Sequence, residues 1–418
     1  MAKINKNIGL SLGADLCWPA AFEELLKRLD LNITHKGNDI QFHCERVSVE
    51  PYNLQYKPKY NVVLDRVTHW HPISREWVKK IILMDDVYVL NNPWSIQSME
   101  KHTSYCAMMR LGMPIPKTVM LPSKDVSQEH PDMEVTVNRY NRLFSLQQVG
   151  EHVGYPAFLK PYDGGGWVGV RRVKNLKDLN EAYDKSGARV NHLQEAVKDW
   201  DVFVRGLGVG PQVNVIKYNP DAPLHGRYEV DFNYLDAAGW KRAVQTTRII
   251  NAFFNWDFNS CEMLRADNIL RPIDFANACP DSQVTSLHYH FPWLVKSLLK
   301  WALFCATTDR KVKHNNNWQP YFDIAAEDIS YDEKIEKYDA LAKAYFQTEE
   351  FGEFCETHLA HFDEVALEFF GTQQFKDIVH AKVSALYPKH EIDEFTNHFF
   401  GLIQFWRKTE NDRLTGQA

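Results

Sequence analysis

The chain lacks the marks of several classes of protein. Its seven cysteines, at 17, 44, 106, 261, 279, 305 and 355, contain no CxxC pair and do not make an even set. That spacing excludes a disulfide framework and reads as reduced thiols in a cytoplasmic protein. There is no excess of basic charge. Lys and Arg number 48 against 54 Asp and Glu, for a net charge of −6, which excludes a general nucleic-acid binder but leaves room for a local basic pocket. No long apolar run is present. The start, MAKINKNIGLSLGADLCW, is basic but has no signal-type core. The most apolar stretch, FPWLVKSLLKWALFCA at 291–306, is interrupted by Lys296 and Lys300, so it reads as a buried helix and not as a membrane span. Repeats and low-complexity tracts are absent, and 13% aromatics exclude general disorder.

What is there is a chain of 418 residues, long enough for two or three domains. Residues 1–92 read as a small α/β unit, with helices over 20–31 and 74–84 and strands over 61–67 and 87–92. His69 and His71 follow the first of these strands. A helix over 95–112 stops at Gly112 and the Pro114/Pro116 pair. Residues 123–141 are polar and read as a loop. From Tyr155 the pattern turns to strands: 155–162, 190–197 and 201–209, then QVNVIKY, RYEVDFNYL, KRAVQTTRII, CEMLRAD and ILRPIDFAN. The region 93–310 is therefore an antiparallel-rich α+β body. Residues 311–418 have few glycines and strong helical spacing, and read as a helical extension. Its aromatics, among them Phe351, Phe362, Phe399 and Trp406, are too many to leave in water.

The chemistry centres on GYPAFLKPYDGGGWVGV, 154–170. A lysine on a buried strand is costly unless it meets an anion. The glycines that follow, Gly164, Gly165 and Gly166, let backbone N–H groups approach phosphate oxygens. Lys160 and this loop therefore read as facing one polyphosphate; the competing reading is a snorkelling lysine beside an ordinary hairpin.

Over about 90–305 the chain resembles the ATP-grasp superfamily, which includes D-alanine–D-alanine ligase, glutathione synthetase and biotin carboxylase. MEKHTSYCAMMRLGMPIPKTV is similar to the family's opening helix and strand, with Lys101 at its first phosphate-binding lysine. GYPAFLKP is similar to the second lysine strand, with Lys160 in place. LQEAVKDWDVFVRG resembles the inter-lobe strand, and the resemblance implies a hinge near 195–200. The resemblance implies that Glu195, Ala196 and Val197 meet the adenine and that Asp201, where the family more often has Glu, meets the ribose. CEMLRADNILRPIDFANACPDS resembles the metal-binding hairpin, which implies Glu262, Asp274 and Asn277 as ligands for Mg²⁺, or Mn²⁺ in its stead. Here the chain departs from the pattern. Phe275 stands where the family has Glu, and Asp274 precedes Asn277 by three residues instead of two, so a bulge would be needed to turn it inward.

The resemblance implies an ATP-grasp fold behind an N-terminal α/β (pre-ATP-grasp) domain. It also implies an ADP-forming ligase that joins a carboxylate to an amine through an acyl phosphate. Arg248 is the candidate for holding that intermediate, with Arg265 and Arg271 as rivals, and Lys217 with Arg227 flanks a loop that could close over the phosphates. Expected partners are ATP and small-molecule or peptide substrates, with no nucleic acid, no membrane, and a homodimer left open. The alternatives are phosphoryl transfer to a non-carboxylate acceptor and a non-catalytic nucleotide-binding module. HYH at 288–290 is a candidate for the acceptor pocket. Glu394 and His398 have the i, i+4 spacing of a helical metal site, but a solvated face is the better reading.

Overall fold

The structure, a computed structural model, describes residues 2–67, 71–97, 101–126, 132–140, 143–163 and 165–416. The candidates His69 and Gly164 lie outside the described residues. Thirteen strands occur among those described. They are β1 (Lys3–Ser11), β2 (Ile33–His35), β3 (Asn38–Arg46), β4 (Val62–Asp65), β5 (Tyr88–Leu90), β6 (Thr118–Leu121) and β7 (Ala157–Pro161), followed by β8 (Arg171–Val173), β9 (Asn191–Glu195), β10 (Val202–Val209), β11 (Gln212–Lys217), β12 (Phe258–Ala266) and β13 (Ile269–Asn277). The chain divides into two compact units: Met1–Gln97 with Val204–Ser260 and Ala278–Ala418, and Ser98–Phe203 with Cys261–Asn277. The expected segments 1–92, 93–310 and 311–418 do not coincide with these units.

In the first unit, five strands form a sheet in the order β2-β3-β1-β4-β5. β1 is parallel to both β3 and β4, and β4 to β5. The helix Pro72–Asp85 joins β4 to β5, giving the expected strand–helix–strand unit. β1 is disguised in sequence because Lys6 stands in its apolar row, although Ile8 and Leu10 are fully buried; β3 alternates Ile40, Phe42 and Cys44 with polar residues and pairs with β1 in parallel. The helix Cys17–Leu29 buries Trp18, Phe22, Leu25 and Leu29, an i, i+3/i+4 stripe, and ends on Asp30 in the left-handed region. The helix Phe291–Thr308 is buried almost throughout. Lys296 within it reaches Asp363 at 2.8 Å and Glu410 at 3.1 Å, which explains how a core helix carries a lysine. Among the described residues no helix is long and apolar enough to cross a membrane.

Residues 319–414 are helical as expected. The helix Tyr331–Phe346 starts with a capping box between Ser330 and Glu333. Phe351, Phe354, Phe362, Phe369, Phe370 and Phe399 are buried, as is Trp406. Phe405 stays exposed.

Three expectations are corrected. KRAVQTTRII is not a strand but part of the helix Ala237–Phe253, which Asp236 caps by accepting the Gly239 N–H. Its β-branched residues suggest a strand, yet Ala243, Thr246, Thr247 and Ile250 are buried at helical spacing. RYEVDFNYL forms no strand beyond an isolated bridge from Tyr228 to Tyr218. The polar stretch 123–141 is not all loop, since Met133–Tyr140 is helical.

In the second unit, β6-β9-β7-β8 form an antiparallel sheet. The remaining sheet, in the order β11-β10-β12-β13, contains the strands along which the chain passes from one unit to the other. At the β10–β11 turn Gly210 has φ +54°, and a Cβ there would lie 2.4 Å from the Trp301 ring, so only glycine fits.

Candidate functional site

The sheet of the second unit has two unlike faces. Side chains alternate along a strand, so Val119, Leu121, Ala157, Leu159 and Leu193 point one way. They pack on Val153, Leu179 and Ala182 from the flanking helices. The opposite face carries Thr118, Phe158, Lys160, His192 and Gln194. The register sets Lys160 opposite His192, and Phe158 opposite Gln194. This face is polar and yet buried: Lys160, His192 and Gln194 are each under one-tenth exposed.

Lys160 is the unusual member. Its ammonium donates to Gln194 Oε1 at 2.6 Å and to the Ile273 carbonyl at 3.4 Å. Gln194 is held in turn, its Nε2 donating to Thr118 Oγ1 at 2.9 Å. Among the described residues Lys160 makes no ion pair. Burial pushes its pKa down to about 8, opposed by Asp274 and assisted by the Lys101 charge. Lys101 opens the helix Lys101–Arg110, and its N–H donates to the Tyr162 carbonyl at 3.0 Å, just past the Lys160 strand. Its ammonium meets the Asp274 carboxylate at 3.1 Å. The structure thus brings Lys101, Lys160 and Asp274 together. Tyr105, one turn along the same helix, donates to the Ile273 carbonyl at 2.7 Å. Its ring lies 5.5 Å from Phe275 and 5.5 Å from His192.

Gln194 and His192 were missed from the sequence. The alternation in NHLQE placed both on one strand face, but nothing local said that this face is the one bearing Lys160.

Residues 165–169 of the glycine loop are exposed. Gly166 has φ +65°, and a Cβ on Gly165 or Gly166 would meet nothing within 4 Å. The loop thus has the open backbone that an approaching anion requires. In the inter-lobe strand the Glu195 and Ala196 N–H groups already donate to the Lys117 and Pro156 carbonyls. Val197 is half-buried. Asp201 is clasped by Arg265, with contacts of 2.6 to 3.1 Å, and that hydrogen bond holds its carboxyl below the usual range.

The metal set is altered. Glu262 is buried on β12. β13 runs unbroken from Ile269 to Asn277, and on such a strand residues three apart face opposite ways. Asn277 therefore shares the face of Phe275, whose ring is in the core, and not that of Asp274. The strand is unbroken, and Asp274 nevertheless lies at the lysine site, its carboxylate 3.1 Å from the Lys101 ammonium. Among the described residues no three His, Cys, Asp or Glu side chains cluster to hold a metal. Of the expected ligands, Asp274 is the one that lies beside the two lysines, where its carboxylate pairs with Lys101.

Lys217 and Arg248 belong to the first unit. Lys217 is matched by Glu229 at 3.0 Å and Asp231 at 2.8 Å. Arg248 lies on a helix, and its guanidinium meets buried Asp339 at 2.7 Å. Both charges are already compensated there. His71 accepts or donates at Ser74 Oγ, 2.7 Å away, at the start of its helix. His288 and His290 are buried, and burial lowers their pKa values to about 3 and about 4. Glu394 and His398 sit on an exposed helix face.

No protein-family model matches the chain, and no curated protein matches it in sequence. Many solved structures are similar to it, three of which follow. The RimK domain protein ATP-grasp from Sphaerobacter thermophilus has a TM-score of 0.45 at 12% identity, covering 71% of this chain and 99% of that one. D-alanine–D-alanine ligase from Bacillus anthracis, complexed with ATP, has a TM-score of 0.45 at 12% identity over 73% and 96%. The D-Ala:D-Ser ligase from Enterococcus faecalis has a TM-score of 0.44 at 14% identity over 81% and 100%.

Proposed function

We propose that the chain is an ATP-dependent ligase of the ATP-grasp type. It would join a carboxylate to an amine and release ADP and phosphate. One observation carries the reading: Lys160 is a buried ammonium whose hydrogen bonds, among the described residues, go to neutral oxygens, and the one carboxylate near it, Asp274, is paired with Lys101. Such a group is costly in isolation and is relieved by an anion. The neighbouring Lys101, the open glycine loop and the ordered motifs shared with ATP-grasp sequences make a nucleotide polyphosphate the anion of choice.

The chemistry follows from the weakness of a carboxylate as an electrophile. Transfer of the γ-phosphoryl group to a carboxylate oxygen breaks the bond to ADP and creates an acyl phosphate. The amine then attacks the acyl carbon, loses a proton and expels phosphate. Lys101 and Lys160 would bind the phosphates, orient them and neutralise charge that develops on the oxygens during transfer. Any Mg²⁺ enters with ATP as part of the substrate, and no step is assigned to it. Reduced thiols fit a cytoplasmic enzyme; the seven cysteines form no disulfide with one another among the described residues.

A second reading, a non-catalytic nucleotide-binding module, is favoured by one feature: Phe275 is buried against Tyr105 where a metal ligand is expected. Titration calorimetry with ATP on the wild-type and Lys160→Ala proteins tests the site. ADP release in a screen of carboxylates and amines, followed by hydroxylamine trapping of the acyl phosphate, tests the reaction. ATP binding without ADP formation would favour the module. No ATP binding at all would overturn both readings.

A further inference from the structure

The polar sheet face holds a group that the proposed chemistry does not use. His192 is 1% exposed, and its ring stacks on His102 with centroids 5.4 Å apart. His192 Nε2 lies 3.2 Å from His102 Nδ1. The other His102 nitrogen, Nε2, lies 3.8 Å from the Cys106 thiol. His192 Nδ1 has no hydrogen-bond partner among the described residues. An unpartnered buried nitrogen is costly, and native structures keep few of them.

The tautomers can be assigned from this chain of contacts. Burial first, then the charges of His102, Lys160 and Lys101, lowers the His192 pKa to about 4, so the ring is neutral at pH 7 and carries one N–H. If the Cys106 thiol donates to His102 Nε2, His102 must be protonated at Nδ1. That N–H donates to His192 Nε2, and the proton of His192 is left on Nδ1. Every contact in the relay is then used, and one donor remains at its inner end, on the residue directly opposite Lys160.

We propose that His192 is a further ligand-binding residue of the lysine site, its Nδ1–H donating to a phosphate oxygen of the nucleotide. His102 and Cys106 are positioning residues that hold the donor tautomer. The inference rests on the nucleotide reading above and sharpens it. A neutral donor adds a directed hydrogen bond where a third cation would raise the cost of the unliganded site.

The test uses the full chain labelled with ¹⁵N-histidine. Long-range ¹H–¹⁵N spectra at pH 7 are recorded without ligand, with ATP and with inorganic triphosphate, and the His192 signals are assigned with His192→Asn. The expected result is a proton on Nδ1 whose nitrogen signal shifts with both ligands. In calorimetry His192→Ala should weaken ATP about tenfold and leave adenosine unaffected. His192→Asn, whose amide can replace the donor, should recover part of the loss. A proton on Nε2 in the ATP complex, or unchanged ATP affinity in a folded His192→Ala protein, overturns this inference while the ligase reading stands. If the wild-type protein binds neither ATP nor triphosphate, the ligase reading falls first and this inference with it.

Discussion

Two lysines, each 8% exposed, have opposite surroundings. Lys296, on the core helix of the first unit, faces the carboxylates of Asp363 and Glu410, with the Trp406 ring 5.4 Å from its ammonium. Burial works to raise the pKa of both acids, but Lys296 and its neighbours outweigh it and hold them below the usual range. Lys160, in the second unit, faces an amide oxygen and a backbone carbonyl. Both lysines are desolvated, but among the described residues only the first meets carboxylates directly; the second has the Asp274 charge nearby, already paired with Lys101. A buried cation that the fold has matched is structural. One that the fold has solvated with neutral oxygens, and whose pKa falls accordingly, is poised for a partner from outside.

That contrast can be broken at several points. Truncation before residue 311 removes Asp363, Glu410 and Asp339 at once, stranding Lys296 and Arg248 and exposing apolar surface. We expect an aggregating chain, because the loss exceeds a typical stability of about 5–15 kcal/mol. A truncated protein that stays monomeric and melts cooperatively would contradict it.

Single substitutions sharpen the contrast. Lys296→Met leaves half-buried Asp363 with Lys300 at 3.7 Å and Glu410 with Arg413 at 3.0 Å, and should cost about 1–3 kcal/mol in urea unfolding, with ATP affinity unchanged. Lys160→Met should do the reverse, leaving stability within about 1 kcal/mol and weakening ATP about a hundredfold. Equal destabilisation in the two variants would mean that Lys160 is also structural.

Acid should act through the buried neutral histidines. His192, His288 and His290 have folded pKa values depressed to about 4, about 3 and about 4. Their depressed values mean that the unfolded chain takes up protons first. The stability tied to their neutral forms is whole above about 6.5 and drains as pH falls toward those values, at about 1.4 kcal/mol per pH unit for each ring. Urea titrations from pH 7 to 5 measure the slope, and His290→Gln should reduce it by one ring's share. A flat profile would show that these rings are charged or exposed in the folded protein.

The smallest effect concerns the ligand. With Lys160 near pKa 8 when empty, an anion that binds the ammonium raises its pKa. Binding above pH 8 therefore takes up a proton, and ATP affinity should fall by up to about tenfold per pH unit there. The same decline in Lys160→Met would assign the proton to another group.

The elements set by local pattern were legible in the chain. The helix with the Ser330–Glu333 cap, the glycine stop after 110, the strand bearing Lys160 and the amphipathic C-terminal helices follow from spacing and turn residues, which act over a few positions. Lys101, Lys160 and Asp274 could be named as candidates because motif order survives in sequence. Other features depended on partners far along the chain. KRAVQTTRII is helical because one of its faces packs on the helix Tyr331–Phe346, with Arg248 on Asp339, a contact 91 residues away. Strand propensity yields to such packing. β1, whose apolar row Lys6 interrupts, is fixed as a strand by pairing with β3 on one side and β4 on the other. The environment of Lys160 depended on the register that set His192 opposite it and on the β13 carbonyl of Ile273. Sequence alone determined which side chains could carry charge and where the elements with strong local pattern would lie. Tertiary structure decided which of those charges are matched, because matching requires distances and burial that no local pattern contains.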